Sequence, residues 1–301
     1  MKILVTGTAG FIGFHVSQFL LKRGDSVVGL DNFNSYYDVK LKEDRNKILI
    51  QNKNFRCVRI DLCNSEDMKS LFAHEAFDRV CNLAAQAGVR HSLDHPHDYI
   101  NSNIVGFLNI LECCRHFNVP RLVYASSSSV YGGNTKLPFS EKDRVDSPVS
   151  LYAASKKSNE LMAHSYTHLY GLQTIGLRFF TVYGPWGRPD MAMWLFIEAI
   201  LNNKKIKVFN NGDMKRDFTF IDDIVKGVVA SIDKEKLSSY EIFNLGNNNS
   251  EDLLFLIDNI EKILGKKAEK EFLPMQMGDV KATYADIENA REKLGFEPET
   301  A

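Results

Sequence analysis

The residues best suited to acid–base chemistry lie in two segments near the middle of the chain. One reads Val123-Tyr124-Ala125-Ser126-Ser127-Ser128-Ser129-Val130-Tyr131-Gly132, and the other reads Tyr152-Ala153-Ala154-Ser155-Lys156. Tyr152 and Lys156 are four residues apart in a segment that favours a helix, so they share one helix face. A lysine ammonium beside a phenol favours the phenolate, and a serine hydroxyl can share the hydrogen bond to a substrate oxygen. These residues predict a proton-transfer site, although such a pair and a serine run also occur by chance, so the surrounding elements must decide.

Alternating strands and helices would position these side chains. Residues 122–125 form a short apolar run that ends in the serines, as expected at the carboxyl end of a buried strand, where open α/β sheets bind ligands. Further strands are predicted at 2–6, 26–30, 55–60, 78–83, 173–178 and 242–245, and long helices at 97–118 and 150–170. The pattern predicts an α/β fold, a doubly wound parallel (Rossmann) sheet with right-handed crossovers. We assign 1–178 and 214–246 to a dinucleotide-binding domain, and 179–213 and 247–301 to a smaller, discontinuous C-terminal substrate domain.

A glycine-rich turn directly follows the first strand. Its glycines are Gly7, Gly10 and Gly13, with Phe11 and Ile12 between the last two. A turn without side chains lets backbone N–H groups at the amino end of the next helix approach a pyrophosphate. The spacing is G-x-x-G-x-x-G rather than G-x-G-x-x-G, yet its place after an N-terminal strand predicts that these five residues bind a dinucleotide.

The next strands end in residues that would contact such a cofactor. Asp31, followed by Asn32, would accept hydrogen bonds from the adenosine ribose hydroxyls, and its charge would repel a 2′-phosphate, so NAD is favoured over NADP. The plain alternative is that Asp31 only caps a turn with Asn32. The Asp61-Leu62 pair follows the third strand, where the carboxylate could meet the adenine amine. The Ala84-Ala85 pair follows the fourth strand and would let the backbone pass the cofactor.

The loop after the fourth strand also holds cationic and imidazole side chains. Arg90 either reaches an anionic substrate or is an ordinary surface arginine, and the sequence leaves both open. His91, His95 and His97 suggest a metal, but their spacing matches no standard ligand set on a loop. We therefore predict no metal site.

The overall composition limits the possible partners. With 301 residues and 44% apolar content, the chain can bury a large core. Its formal charge of −1 and pI near 6.7 give no positive electrostatic potential that would recruit nucleic acid or an anionic membrane. Its five cysteines show no metal-ligand spacing, so reduced thiols are expected. No cleavable leader and no apolar run of about 18 residues is found, which predicts a cytoplasmic protein with no membrane partner. Leftover apolar residues on the two long helices predict a homodimer with a four-helix seam.

These motifs together make the whole chain resemble the extended short-chain dehydrogenase/reductase family. The residues that carry the resemblance are Gly7, Gly10, Gly13, Asp31, the Asp61-Leu62 pair, Ser127, Tyr152 and Lys156. Within that family the chain is most similar to the NAD-dependent nucleotide-sugar 4-epimerases, above all the UDP-glucuronate 4-epimerases, whose Gly-Pro-Trp-Gly-Arg-Pro-Asp-Met stretch stands here at residues 184–191. The resemblance implies C4 epimerisation of UDP-glucuronate to UDP-galacturonate through a 4-keto sugar, as a supply for polysaccharide biosynthesis.

The resemblance also implies residue roles. Tyr152 would take the proton of the sugar 4-hydroxyl while C4 gives a hydride to NAD, Ser127 would share the hydrogen bond, and Lys156 would hold the ribose and lower the pKa of Tyr152. Arg216 matches the diphosphate-binding arginine of the family, and Arg188 and Thr181 are candidates for the substrate carboxylate. The remaining expected substrate residues are Arg90, Ser127, Ser128 and Asp279.

The chain departs from its apparent family at two places. The usual Arg-Pro-Gly-Asp motif is here Gln276-Met277-Gly278-Asp279, so diphosphate binding is expected to differ on that side. The chain also ends soon after Gly295-Phe296-Glu297-Pro298, where relatives usually continue into another helix, so a shortened carboxyl terminus is expected.

The same fold also supports other functions. Related dehydratases and decarboxylases place an acid where this chain has Ser129, and dehydratases place another at Ser128, so the resemblance argues against elimination and decarboxylation. A UDP-glucose/galactose 4-epimerase would not need Arg188 as a carboxylate clamp, and a net reductase would release its cofactor at each turnover. A non-catalytic dinucleotide sensor could dispense with Tyr152 and Lys156, both of which are present. The sequence favours the uronate epimerase.

Overall fold

The computed structural model describes residues 1–300 as strands and helices arranged around one large sheet. The strands are β1 (Lys2–Thr6), β2 (Ser26–Leu30), β3 (Phe55–Val58), β4 (Arg79–Asn82), β5 (Arg121–Ser127), β6 (Gln173–Phe179), β7 (Thr181–Tyr183), β8 (Ile206–Phe209), β9 (Lys215–Arg216), β10 (Phe218–Phe220), β11 (Tyr240–Leu245), β12 (Glu251–Asp252) and β13 (Lys270–Leu273). The helices are α1 (Phe11–Arg23), α2 (Val39–Leu49), α3 (Ser65–His74), α4 (His91–Asp94), α5 (Pro96–Tyr99), α6 (Gly106–His116), α7 (Leu151–Tyr170), α8 (Ala192–Leu201), α9 (Ile221–Asp233), α10 (Leu253–Leu264) and α11 (Glu288–Leu294). A π-helix (Ile100–Val105) joins α5 to α6, and short 3-10 helices lie at Ser128–Tyr131 and Asn210–Gly212.

The large sheet has seven strands in the order β11-β6-β5-β4-β1-β2-β3. Every neighbouring pair in it is parallel. The chain builds outward from β1 to β3 and then returns to place β4 on the other side of β1, so the strand order reverses between β1 and β4. Open α/β sheets bind ligands at the carboxyl ends of the strands beside such a reversal. The predicted doubly wound parallel fold is confirmed, and the predicted strand at 242–245 forms its edge as part of β11.

Both faces of the sheet are covered by helices, which explains the apolar strand sequences. Ile3, Leu4 and Val5 of β1 are fully buried, as parallel strands with two covered faces require. One face packs on α1 and α9, through residues such as Phe14 and Val228, in a core that also includes Leu294 of α11 and Phe296. The opposite face packs on α3, α6 and α7 through residues that include Met68, Ile110 and Ala163.

The helix α7 is defined at both ends by its own sequence. The hydroxyl of Ser150 accepts a hydrogen bond from the N–H of Ala153 at 3.1 Å, which starts the helix, and Gly171 ends it with φ +69°. This start places Tyr152 in the first turn and Lys156 in the second. The predicted helix at 97–118 is instead α5, the π-helix and α6 in succession.

A smaller group of elements forms its own core beside the sheet. Phe196 and Ile200 of α8 pack with Val208 of β8 and with Ile257 and Ile260 of α10. The strand β8 pairs in parallel with β13, away from the large sheet. Among residues 1–300, no helix combines the length and the apolar character needed to cross a bilayer.

Candidate active site

The glycine turn between β1 and α1 leaves no room for side chains. Gly7 has φ +73°, and a Cβ on it would lie 2.9 Å from the backbone nitrogen of Ala84. A Cβ on Gly13 would lie 2.1 Å from the carbonyl oxygen of Gly7, and one on Gly10 would lie 2.9 Å from the same atom. Each glycine is therefore needed, and the turn presents bare backbone at the amino end of α1, which suits a pyrophosphate.

A cleft runs along the carboxyl edge of the sheet from this turn to α7. All the predicted cofactor residues line it, namely Gly7, Gly10, Phe11, Ile12, Gly13, Asp31, Asn32, Asp61, Leu62, Ala84, Ala85, Tyr152 and Lys156. Ser127 and Arg188 of the predicted substrate set line the same cleft. Residues from seven segments of the chain are thus brought to one cavity, at the reversal of strand order.

Asp31 holds the backbone around the start of the cleft. Its carboxylate accepts hydrogen bonds from the N–H of Ala9 at 3.1 Å and from the N–H of Phe33 at 2.9 Å. The turn-capping role considered for Asp31 is therefore present, and Asp31 also fixes the glycine turn. Burial raises the pKa of Asp31, against the opposing effect of these N–H groups and of Lys42. Asn32 donates to the carboxylate of Asp61 at 2.9 Å, which links the ends of β2 and β3.

The end of β5 and the first turns of α7 bring three polar side chains together. The hydroxyl of Ser127 lies close enough to the phenol of Tyr152 to lower its pKa, and it lies 3.1 Å from the hydroxyl of Ser129. Lys156 is 3% exposed and donates to the carbonyl oxygen of Ala125 at 3.0 Å. Tyr152 and Ser127 can therefore hold one substrate oxygen between them.

Burial has the largest effect on the charge states of these groups. It raises the pKa of Tyr152, against smaller lowering effects from the hydrogen bond to Ser127 and the charge of Arg188. It also lowers the pKa of Lys156 to about 8. In the chain without nucleotide the pKa of Tyr152 is raised, because burial outweighs Ser127 and Arg188. Lys156, which donates to Ala125, is not among the groups that lower it.

Arg188 provides a fixed positive charge beside Tyr152. Its Nε donates to Asp190 Oδ1 at 3.0 Å, and its Nη2 contacts Asp190 Oδ2. The hydroxyl of Tyr36 also donates to Oδ2 of Asp190, at 3.0 Å. This two-point pairing fixes the plane of the guanidinium, and its charge lowers the pKa of Tyr152. A cation held next to a proton-transfer tyrosine suits a ligand with an anionic group.

Five of the predicted substrate residues lie outside the walls of this cleft. Arg90 pairs with Asp279 at 3.1 Å, and both charges act on Arg216, whose pKa is lowered mainly by burial. These three residues form a second, charged cluster. Thr181 begins β7, between cleft-lining neighbours, and Ser128 begins the 3-10 helix after β5.

Asn103, which the sequence motifs do not single out, lies in the π-helix and is 2% exposed. Its side-chain oxygen accepts from the N–H of Gln86 at 2.8 Å, and its amide donates to the carbonyl of Gln86 and to the hydroxyl of Ser155, both at 3.0 Å. Asn103 therefore fixes the loop after β4 against α7. The polar run Asn101-Ser102-Asn103 is its signal in the sequence, but such a run is also typical of a solvent-facing turn.

Arg45 of α2, which the sequence motifs also do not single out, is fully buried. Its Nη1 donates to the carbonyl of Ala9 at 2.7 Å and to the hydroxyl of Tyr37 at 2.8 Å. Its Nη2 donates to the carbonyls of Trp186 at 2.6 Å and Gly187 at 3.2 Å. One guanidinium thus joins the glycine turn to the loop that carries Arg188. Nothing in the sequence separates Arg45 from the other charged residues of α2.

A buried ion pair between Glu160 and Arg178 supports strand β5. Glu160 of α7 accepts from the hydroxyl of Ser126 at 2.8 Å and from Nε and Nη2 of Arg178 at 2.8 and 2.9 Å. Burial opposes the ionisation of Glu160, but Arg178 outweighs it and the pKa of Glu160 is lowered. The pair ties β5 and β6 to the helix that carries Tyr152 and Lys156.

Known proteins are similar to this chain in sequence and in architecture. Residues 3–246 match the sequence model of the NAD dependent epimerase/dehydratase family. The chain is 52% identical to Protein CapI of Staphylococcus aureus, covering 100% of this chain and 94% of that protein. It is 49% identical to a UDP-glucuronate 4-epimerase of Arabidopsis thaliana, covering 100% of this chain and 72% of that protein. Among solved structures, it is similar to the UDP-glucuronic acid 4-epimerase from Bacillus cereus in complex with UDP-glucuronic acid and NAD, with a TM-score of 0.95 and 38% identity over 100% of this chain and 95% of that one.

Proposed function

Because the chain belongs to the NAD dependent epimerase/dehydratase family, we propose that it is an NAD-dependent isomerase that inverts C4 of UDP-glucuronate to give UDP-galacturonate. The observation that carries this proposal is the meeting of Ser127, Tyr152 and Arg188 in the cleft that begins at the glycine turn. The hydroxyl pair suits proton transfer at a sugar alcohol, and the arginine suits a sugar acid.

The cleft fits NAD. The glycine turn has no space for side chains and would hold the pyrophosphate at the amino end of α1. Asp31 stands at the end of β2, where this fold places the adenosine ribose, and its carboxylate disfavours a 2′-phosphate. When bound, NAD supplies the hydride acceptor and donor for C4 and a positive charge that favours the phenolate of Tyr152.

Tyr152 is the proton acceptor for the sugar 4-hydroxyl. Its phenolate takes the proton when C4 is oxidised, and its phenol returns the proton to the 4-keto oxygen after the sugar has presented its other face. Ser127 would hold the same oxygen, since it lines the cleft beside Tyr152 and lowers the pKa of that phenol. Lys156, one turn along α7, would hold the nicotinamide ribose. The net result is inversion at C4 without net oxidation.

Arg188 would hold the carboxylate of the substrate. An unpaired carboxylate in a pocket is costly, and a charge-assisted hydrogen bond to it contributes about 1.5–3 kcal/mol. A 4-keto uronate is also a β-keto acid that tends to lose CO₂, so a fixed carboxylate protects the intermediate. Thr181, beside cleft-lining Phe180 and Val182, is the second candidate for this group.

The diphosphate of the substrate would lie at the second charged cluster. Arg90 and Arg216 supply two cations there, and Asp279 pairs with Arg90. Residues 1–178 and 214–246 would hold the cofactor and also supply Arg90 and Arg216 to the substrate. Residues 179–213 and 247–301 would supply the rest of the nucleotide-sugar site, with α11 packed back on the core of the sheet.

The enzyme would work as a homodimer. Leu108 of α6 and Leu161 and Leu169 of α7 are 40%, 58% and 65% exposed, and pairing the two helices with their copies would bury them in a four-helix seam. A Leu161→Lys variant is expected to be monomeric by light scattering, whereas an unchanged dimer would exclude this face. All five cysteines, which lie within residues 1–300, are free thiols, as suits a cytoplasmic enzyme that supplies polysaccharide biosynthesis.

The test is incubation of the purified protein with UDP-glucuronate and no added cofactor, followed by chromatography and proton NMR. UDP-galacturonate at a near-balanced equilibrium is the expected product. No conversion even after addition of NAD would contradict the uronate assignment, and a pentose product would mean that the intermediate loses CO₂. The matched control is the Arg188→Ala variant, assayed with UDP-glucose and with UDP-glucuronate. If the protein is a neutral-sugar epimerase, the variant keeps its turnover of UDP-glucose. If the protein is a uronate epimerase, the variant loses its turnover of UDP-glucuronate.

A further inference from the structure

A cluster of imidazole and carboxylate groups lies outside the cleft, in the helical segment after β4. His91, His95 and Asp98 place their possible ligand atoms within 4.8 Å of one another. His91 Nε2 lies 3.3 Å from Asp98 Oδ2, and the rings of His91 and His95 stack with their centroids 4.3 Å apart. The prediction of no metal site rested on His97 as the third group, but the residue that joins the two histidines is Asp98.

We propose that His91, His95 and Asp98 bind one divalent transition-metal ion of the zinc class. Two imidazole nitrogens and one carboxylate oxygen form a borderline ligand set, which favours Zn²⁺ and its neighbours over Mg²⁺ and Ca²⁺. With metal–ligand bonds of about 2.0–2.2 Å, the ligand atoms of a tetrahedral site lie about 3.3 Å apart, so they must close by at most about 1.5 Å. His95 and Asp98 are exposed and can rotate to do so, and water reaches the fourth position.

His91 is the fixed member of the set, and it connects the site to the cleft. It is half-buried, and its ring lies edge-on to that of Tyr36, with centroids 4.8 Å apart. The hydroxyl of Tyr36 donates to Asp190, which pairs with Arg188. An ion on His91 therefore stiffens a wall of the cleft through one aromatic ring, without touching the reacting atoms.

The test is a titration of the tag-free chain of residues 1–301 with Zn²⁺ by calorimetry and with Co²⁺ by visible absorption. We expect one ion per chain, and at least about tenfold weaker binding in both His95→Ala and Asp98→Asn. The matched control is His97→Ala, which removes an equally exposed imidazole from the same segment and is expected to bind the ion as the wild type does. Because the three side chains are exposed, the thermal midpoints of the variants should match that of the wild type.

Several results would overturn the site. Equal affinity in all three variants, or weaker binding in His97→Ala, would show that the ion does not use this ligand set. A Co²⁺–thiolate charge-transfer band would place the ion on the free cysteines. A loss of binding in His164→Ala, with binding kept in His95→Ala, would move the ion to the histidines of α7.

Discussion

Replacing Lys156 with methionine is expected to stabilise the protein while it abolishes catalysis. Burial lowers the pKa of Lys156 from 10.5 to about 8. Since one pKa unit corresponds to about 1.36 kcal/mol, the buried ammonium disfavours the folded state by about 3 kcal/mol at pH 7. Methionine keeps the apolar stem but leaves the carbonyl of Ala125 without its donor, which costs about 1 kcal/mol. The net gain in the free energy of unfolding is therefore about 2 kcal/mol.

The gain should depend on pH in one direction. The folded pKa of Lys156 lies below its unfolded value, so the unfolded chain binds more protons between about pH 8 and pH 10.5. The stability contribution of Lys156 therefore rises with pH through this window, whereas methionine does not titrate. The advantage of Lys156→Met should fall from about 2 kcal/mol at pH 7 to near zero at pH 10.

Urea unfolding of nucleotide-free protein at the two pH values measures this difference, because bound NAD would stabilise each variant by its own affinity. Lys157→Met is the matched control. Lys157 is adjacent and partly exposed, and it pairs with Glu160 at 3.3 Å, so its loss should cost at most about 1 kcal/mol. If Lys156→Met is no more stable than the wild type at pH 7, or keeps its advantage at pH 10, burial of the ammonium is not the source of the effect.

Three further substitutions test the supports of the cleft. Glu160→Gln leaves the charge of Arg178 buried without a carboxylate partner. The free energy of unfolding, measured by urea titration, should therefore fall by about 3–5 kcal/mol. A loss below about 1 kcal/mol would mean that Arg178 finds another partner. Arg45→Lys removes the guanidinium that joins the glycine turn to the loop that carries Arg188. NAD binding, measured by fluorescence titration, should weaken at least about tenfold, a loss of about 1.4 kcal/mol. Unchanged affinity would contradict the bridging role of Arg45. Tyr36→Phe removes one hydrogen bond to Asp190, which contributes about 0.5–1.5 kcal/mol. The KM for UDP-glucuronate should rise severalfold while the thermal midpoint stays unchanged. An unchanged KM would show that Asp190 holds Arg188 without the help of Tyr36.

The parts of the fold that follow from local sequence could be predicted. Ile3, Leu4 and Val5 read as a buried strand because parallel strands with two covered faces are continuously apolar. Tyr152 and Lys156 could be placed together because they are four residues apart and lie within two helical turns of the Ser150 cap. The glycine turn was predictable for the same reason, since its geometry depends only on adjacent residues.

The parts that depend on distant contacts could not be predicted. Arg45 meets Trp186, which is 141 residues away, and Arg90 meets Asp279, which is 189 residues away, and neither pairing leaves a periodic signal. The direction of the pKa shift of Tyr152 depends on how deeply the folded chain buries it, which spacing does not reveal. The approach of Asp98 to His91 and His95 also could not be predicted, because it depends on how α4 and α5 fold together.

The four hydrogen bonds of Arg45 bear on how long the enzyme keeps its nucleotide. An epimerase returns its hydride within each cycle, so its chemistry never requires the nucleotide to leave. Arg45 joins the glycine turn, which would hold the pyrophosphate, to the loop that carries Arg188, which would hold the sugar. Opening this end of the cleft requires all four hydrogen bonds to break, together with the local packing of α2. We therefore expect the residence time of the nucleotide to span many turnovers, as for a prosthetic group. The rate should then follow the supply of sugar nucleotide rather than the redox balance of the surrounding NAD pool.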